Sequence, residues 1–297
     1  MNGILILDKA ENATSFYTVR KVRALLGEKK IGHGGTLDPR ATGVLPVYLG
    51  GATKLCDFLP DGDKTYEAAL TLGIATDTED IWGTVTEEAP VSVSEGDAEA
   101  AVLSFLGTYV QVPPMYSAKW VDGRRLYDLA RQGIEIERPG KEVTIRGLRV
   151  LEVRLPVVRF RVTCSKGTYI HTLCKDIGRR LGLPACMSAL RRVRHGPFRI
   201  EDAVTLPELA EIVARGELDR VLRGADTLFP DYPKVILPEE CDLYLLNGNR
   251  LYGGDFRADS RPPEEGPFLL YTSAGAFKAV YAHDPENGYY KPLKMFL

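Results

Sequence analysis

The chain has 297 residues, 44% hydrophobic and 26% charged, with a formal charge of −2 at pH 7, the makeup of a globular enzyme with one large or two smaller domains. No apolar run approaches the roughly 20 residues of a bilayer span, and Met1 to Lys9 is too short and too soon charged for a secretory signal. Five cysteines without a C-x-x-C pair and four histidines without H-x-x-H spacing argue against a disulfide framework and a metal site, and point to a reducing, cytoplasmic setting.

In chain order, Ile4 to Leu7 reads as a buried strand. Thr14 and Ser15 form an N-cap pair for a helix that turns Val19, Val22, Leu25 and Leu26 inward and stops at Gly27. Residues Ile31 to Pro39 are too rich in glycine for a helix or strand and read as a loop that a ligand can approach closely. Thr65 to Ile74 reads as a strand. Ser94, with Asp97 three residues on, caps a helix expected to run to Gly107. Arg124 to Gln132 reads as a short amphipathic helix. Glu142 to Leu155 and Val157 to Ser165 alternate as an antiparallel pair does. Tyr169 to Leu181 and Leu206 to Val213 read as helices. A boundary is expected near Asp231-Tyr232-Pro233, which divides residues 1–230 from a β-rich unit of residues 231–297 that leans on its neighbour.

Charge is segregated along the chain. Arg154 to Arg199 holds eleven Lys/Arg and one acid, Asp176, whereas Asp57 to Glu99 holds twelve Asp/Glu and one base, Lys64. A face built from the basic stretch is expected to meet a polyanion, because each phosphate it neutralises releases a condensed counterion. Lys119, Lys175, Arg179, Arg191 and Arg192 are the candidate phosphate contacts. Phosphate contacts hold register without reading sequence.

Asp38 stands out chemically. It precedes Pro39 in the glycine-dense loop, where Asp is also a common turn residue. Gly32, Gly34 and Gly35 let backbone approach a substrate, and His33 adds a flat polar ring. Neither G-x-x-x-x-G-K-S/T nor G-x-G-x-x-G is present, so a nucleotide-phosphate cradle is not indicated.

The segment Gly32-His-Gly-Gly-Thr-Leu-Asp-Pro-Arg-Ala-Thr-Gly-Val-Leu-Pro46 resembles the signature of the TruB family of pseudouridine synthases, G-H-x-G-x-L-D-P-x-A-T/S-G-x-L. Further segments match in the expected order: Lys64-Thr-Tyr66 (K-x-Y), Pro114 to Lys119, Gly123 to Tyr127, Cys164-Ser-Lys-Gly-Thr-Tyr-Ile170, Leu190-Arg-Arg192, Asp231-Tyr-Pro233 and Asn247-Gly-Asn249. The resemblance covers essentially the whole chain.

It implies an α+β pseudouridine synthase fold, with a mixed, mainly antiparallel sheet flanked by helices, an RNA-binding insertion at about 106–132, and a small C-terminal PUA-like RNA-binding domain. The implied reaction converts uridine to pseudouridine at position 55, in the T-loop of tRNA, on a flipped-out base. Asp38 is the implied essential carboxylate, either attacking C1′ or deprotonating C2′ of the ribose. Tyr66, Tyr169, Leu190 and His33 match substrate-binding positions. No cofactor, metal or obligatory protein partner is implied, and the chain is expected to act on the tRNA T-stem-loop as a monomer.

Two positions depart from the pattern. Ala10 replaces a common proline. His171 replaces an arginine that pairs with the catalytic aspartate, so His171 is the expected carboxylate partner and activity should fall at alkaline pH. Asp77 to Asp80 reads as a solvated acidic turn, which leaves one convincing carboxylate where a glycoside hydrolase needs two. The insertion argues against the guide-RNA-dependent, dyskerin-type relatives. A tRNA-binding or folding protein with dispensable catalysis is the remaining alternative.

Overall fold

The computed structural model describes residues 1–56, 62–116, 120–121, 124–125, 132, 134 and 136–297. Among the described residues thirteen strands precede residue 200: β1 (Gly3–Lys9), β2 (Ile31–His33), β3 (Thr42–Leu49), β4 (Lys64–Leu72), β5 (Ile74–Thr76), β6 (Val85–Glu88), β7 (Gly107–Gln111), β8 (Trp120–Val121), β9 (Arg124–Arg125), β10 (Lys141–Arg154), β11 (Val157–Cys164), β12 (Ala185–His195) and β13 (Phe198–Arg199). Four follow: β14 (Lys234–Ile236), β15 (Pro267–Tyr271), β16 (Phe277–Asp284) and β17 (Tyr289–Met295). The main sheet runs β1-β3-β12-β4-β11-β10-β7, with β2 on β3 and β13 on β12. Among the described residues its one parallel pairing is β3 with β12; β4 lies antiparallel between β12 and β11.

Period-two patterning builds this sheet. Tyr66, Ala68, Leu70 and Leu72 of β4 point to one face, into a core shared with Phe160, Val162, Ile170, Leu173 and Ile177. The last three come from the Ile170–Arg180 helix. The Ser15–Leu26 helix is capped as expected: the Thr14 hydroxyl accepts from the Tyr17 amide at 3.0 Å and Gly27 is left-handed. Its Val19 and Val22 pack on Leu5, Leu7 and Leu45.

Several expectations are corrected. Ile31–His33 is strand, because the free edge of β3 supplies partners for its backbone. The helix capped by Ser94 ends at Leu103, and Gly107 instead opens β7, paired with Lys141–Ile145. The first part of the expected insertion is thus an edge strand of the main sheet. Arg124–Arg125 pairs with Trp120–Val121 as strand; the rest of the expected Arg124–Gln132 helix lies, Gln132 excepted, outside the described residues. The Asp77–Asp80 turn is solvated only at Asp77: Glu79 is buried and Asp80 largely covered.

β14–β17 form a separate four-stranded sheet with two apolar faces. Phe268, Leu270, Ala279 and Tyr281 pack with Leu245 and Leu251 inside the C-terminal unit. Leu269, Tyr271 and Val280, on the alternate positions, pack against Ile4, Ile6, Val44 and Tyr48 of the main sheet. No helix among the described residues is long and apolar enough to cross a membrane.

Candidate active site

The Asp38 loop joins β2 to β3 and is anchored on both sides of the carboxylate. Before it, Leu37 is buried, its amide donating to Ser15 Oγ at 2.9 Å while the Ser15 hydroxyl lies 3.1 Å from the Leu37 carbonyl. After it, the Lys9 ammonium, 1% exposed, donates to the Pro39 carbonyl at 3.1 Å and to those of Ala10 and Ala13 at 2.9 and 2.6 Å. Burial pulls Lys9 down to about 8, Asp38 opposing the shift and Arg192 adding to it. The Asp38 side chain itself is 61% exposed. Fixed neighbours around an open carboxylate are what preorganised reaction geometry needs.

Arg192 lies beneath the same loop with no exposed surface. Its Nε donates to the Val44 carbonyl at 2.7 Å and its Nη2 to the Gly35 carbonyl at 2.9 Å. Tyr66 sits opposite it in the β4–β12 register. Burial pushes the Tyr66 phenol up, while the charge of Arg192 and a hydrogen bond that its guanidinium donates act the other way, so the phenol stays neutral with its oxygen as the acceptor. Asp38 is close enough for its charge to be felt at both groups. Burial likewise lowers Arg192 and outweighs these partners.

His171, in the first turn of the Ile170–Arg180 helix, places Nε2 3.8 Å from Asp38 Oδ2 and 3.8 Å from Asp80 Oδ2. The imidazole therefore stands between two carboxylates. Tyr169, the N-cap of that helix, is held through its backbone by the buried side chain of Gln111: the Tyr169 amide donates to Oε1 at 2.8 Å, and Nε2 donates to the Tyr169 carbonyl at 3.0 Å.

Leu190 is buried in the core that contains Tyr66 and Leu37. His33 ends β2 with Nδ1 buried and unpartnered; burial, then Arg192, lowers its pKa. Burial and the charges of Arg192 and Lys64 bring His195 to about 3, so this ring is neutral. A cavity of about 580 Å³ adjoins the other side of Gly34 and Gly35, bordered by Tyr48, Phe198, Phe229 and Tyr232, but neither Asp38, Tyr66 nor His171 lines it.

The phosphate candidates fare differently. Arg192 is enclosed and occupied by loop carbonyls, so it is not a surface contact. Arg191 is engaged by Asp8, with nitrogen–oxygen distances of 3.1 and 2.7 Å. Lys175 pairs with buried Glu79 at 2.7 Å. Arg179 remains exposed, 3.7 Å from Asp176. Lys119 lies outside the described residues. Arg159 and Arg161 meet Glu152 and Glu67 across the sheet. Arg161, Lys175 and Arg191 are thus neutralised by acids from distant parts of the chain.

The sequence reading missed Ser15, Glu79, Asp80 and Gln111 and misassigned Arg192. Asp80 carried a usable signal, since an acid on a short loop between strands can face the cleft. The others act on backbone or through buried partners and leave no local pattern.

The model of the TruB family pseudouridylate synthase N-terminal domain matches residues 23–170, and that of the tRNA pseudouridylate synthase B C-terminal domain matches 171–230. The junction between them falls at the start of the His171 helix, inside the main fold. The tRNA pseudouridine synthase B of Alkaliphilus oremlandii is 47% identical, covering 99% of this chain and 98% of that one. That of Lachnoclostridium phytofermentans is 45% identical with both chains fully covered. A chain in the structure of an H/ACA RNP bound to a substrate RNA containing 2′-deoxyuridine shares the fold, with a TM-score of 0.69 and 24% identity over 99% of this chain and 85% of that one. On these full-length similarities, the chain belongs to the TruB family of pseudouridylate synthases, isomerases that turn uridine into pseudouridine.

Proposed function

We propose that the protein converts uridine to pseudouridine in tRNA, at position 55 in the T-loop, with Asp38 as the reacting carboxylate. The carrying observation is that Asp38 stands open in a loop whose neighbours are pinned by Ser15, Lys9 and Arg192, beside Tyr66 and His171. A uridine in a folded loop reaches such a site only when flipped out. In this reading the extruded ring rests on Tyr66, with Leu190 and Tyr169 bounding the pocket. The Asp38 carboxylate acts at the ribose, as nucleophile at C1′ or as base at C2′, and frees the uracil to turn and rejoin through C5. The Tyr66 hydroxyl, polarised by Arg192, passes the C5 proton on to water as it is lost, and His171 holds Asp38. The half-buried His33 ring contacts bases of the opened loop through its exposed edge. Arg179 and the 231–297 unit extend the contact along the stem.

Release of tritium from a 5-³H-uridine T-stem-loop hairpin tests the substrate and position. The expected result is one tritium per hairpin at the T-loop uridine and none when that uridine is replaced by cytidine. Release from other uridines at a similar rate would contradict the assignment.

A further inference from the structure

We propose that Glu79 is a positioning residue for this reaction: it locks the first turn of the Ile170–Arg180 helix onto the 77–83 loop and so sets where His171 and Asp80 stand relative to Asp38. The proposal rests on the catalytic reading of Asp38 given above.

Glu79 has φ 63, a left-handed backbone that a residue with a Cβ rarely adopts. Such strain persists where the surroundings over-determine it, and it concentrates at functional sites. Here the surroundings do so. The Glu79 side chain is 9% exposed and both its oxygens are used. Oε2 accepts from the Thr172 hydroxyl at 2.9 Å and Oε1 pairs with Lys175 Nζ at 2.7 Å. These partners are three residues apart, on one side of the helix. The Glu79 carbonyl accepts from the Met187 amide at 2.9 Å, and the Ile81 amide donates to the Met187 carbonyl at 2.8 Å, which fastens the loop to β12.

The next residue along each element is the one that matters. His171 precedes Thr172, Asp80 follows Glu79, and these two meet at 3.8 Å. Asp80 Oδ1 is taken by the Thr78 hydroxyl at 2.9 Å and the Trp82 amide at 3.0 Å, which turns Oδ2 toward the imidazole. Among the described residues, the His171–Asp80 contact is the one other side-chain ion pair or hydrogen bond recorded between helix and loop. Glu79 touches no reacting atom; it acts through the two groups beside it.

Glu79→Gly suits the left-handed backbone and deletes the carboxylate. Glu79→Gln retains an acceptor for Thr172 and loses the ion pair. Thr172→Val/Lys175→Met removes the partners instead. Single-turnover pseudouridine formation and hairpin affinity are measured for each. The Gly variant is expected to bind the hairpin within about twofold of wild type and to react about 10- to 100-fold more slowly, with Gln between the two. In the Thr172→Val/Lys175→Met background, Glu79→Gly should add less than about a twofold further loss. A folded Gly variant with a wild-type rate, a loss confined to affinity, or independent additive losses would overturn the proposal. If the Gly variant fails to fold, a wild-type rate in the Gln and partner variants does the same. A wild-type enzyme inert on the hairpin defeats the functional reading instead. Glu79 is then judged without substrate, by nuclear Overhauser contacts between His171 and the 77–83 loop: present in wild type and lost in Glu79→Gly if Glu79 positions them, retained if it does not.

Discussion

Asp38 is legible in sequence because its loop is a contiguous motif, and the glycines around it announce close approach. Arg192 is not, since an arginine on a strand reads as surface, and only the pairing of β12 between β3 and β4, under the Gly35 loop, shows that it is buried. Ser15 and Gln111 stay hidden for the same reason: each fixes backbone far away in the chain. His171 carries a prediction of its own. Its Nε2 stands 3.8 Å from Asp38 Oδ2, so His171→Ala should slow single-turnover pseudouridine formation by about 10-fold or more while hairpin affinity stays within about twofold; an unchanged rate would remove His171 from this role. Lys9 carries another. Its folded pKa near 8 lies below the value of about 10.4 expected when unfolded. Between those values the unfolded chain holds a proton that the folded chain has released, so this residue's contribution to stability rises with pH there and is a constant penalty below it. Denaturant titrations should show wild type gaining on Lys9→Met between pH 8 and 10; a constant gap would contradict the assignment.

At the scale of elements, the strands and helices with clean periodicity were readable: β4, the β10–β11 hairpin, and the helices capped by Thr14 and Thr205. β3 was not, because Gly43 and Pro46 interrupt its pattern. The structure supplies the reason for the glycine. Gly43 has φ 101, and a Cβ there would overlap the Arg192 carbonyl at the parallel crossing. Gly43→Ala should therefore destabilise the fold by more than about 1 kcal/mol, through strain and through separation of β3 from β12. Urea denaturation measures this, and an unchanged midpoint would show that the crossing tolerates a side chain. β7 was hidden too, since an edge strand that begins at a glycine looks like the end of the preceding helix.

Over the whole molecule, folding offsets part of the charge segregation along the chain. Antiparallel pairing sets Glu67 beside Arg161 and Glu152 beside Arg159, while Asp8 meets Arg191 and Glu79 meets Lys175. The RNA-facing charge is correspondingly smaller than a count along the chain suggests. Arg191→Gln should leave the slope of log affinity against log salt within about 0.5 of wild type, whereas loss of a true phosphate contact would reduce it by about 1. The C-terminal unit was legible as β-rich from its turns. Its second apolar face, which buries Leu269 and Val280 against the first strands of the chain, shows why it leans on its neighbour.

The whole account turns on the Asp38 carboxylate, and Asp38→Asn tests it most directly, because the amide keeps the shape of the side chain and loses its charge. Tritium release from the T-stem-loop hairpin and hairpin affinity are measured together. The account predicts binding within about threefold of wild type and a rate reduced by at least about 10⁴-fold. Undiminished product formation by Asp38→Asn would contradict it and move the chemistry to another residue.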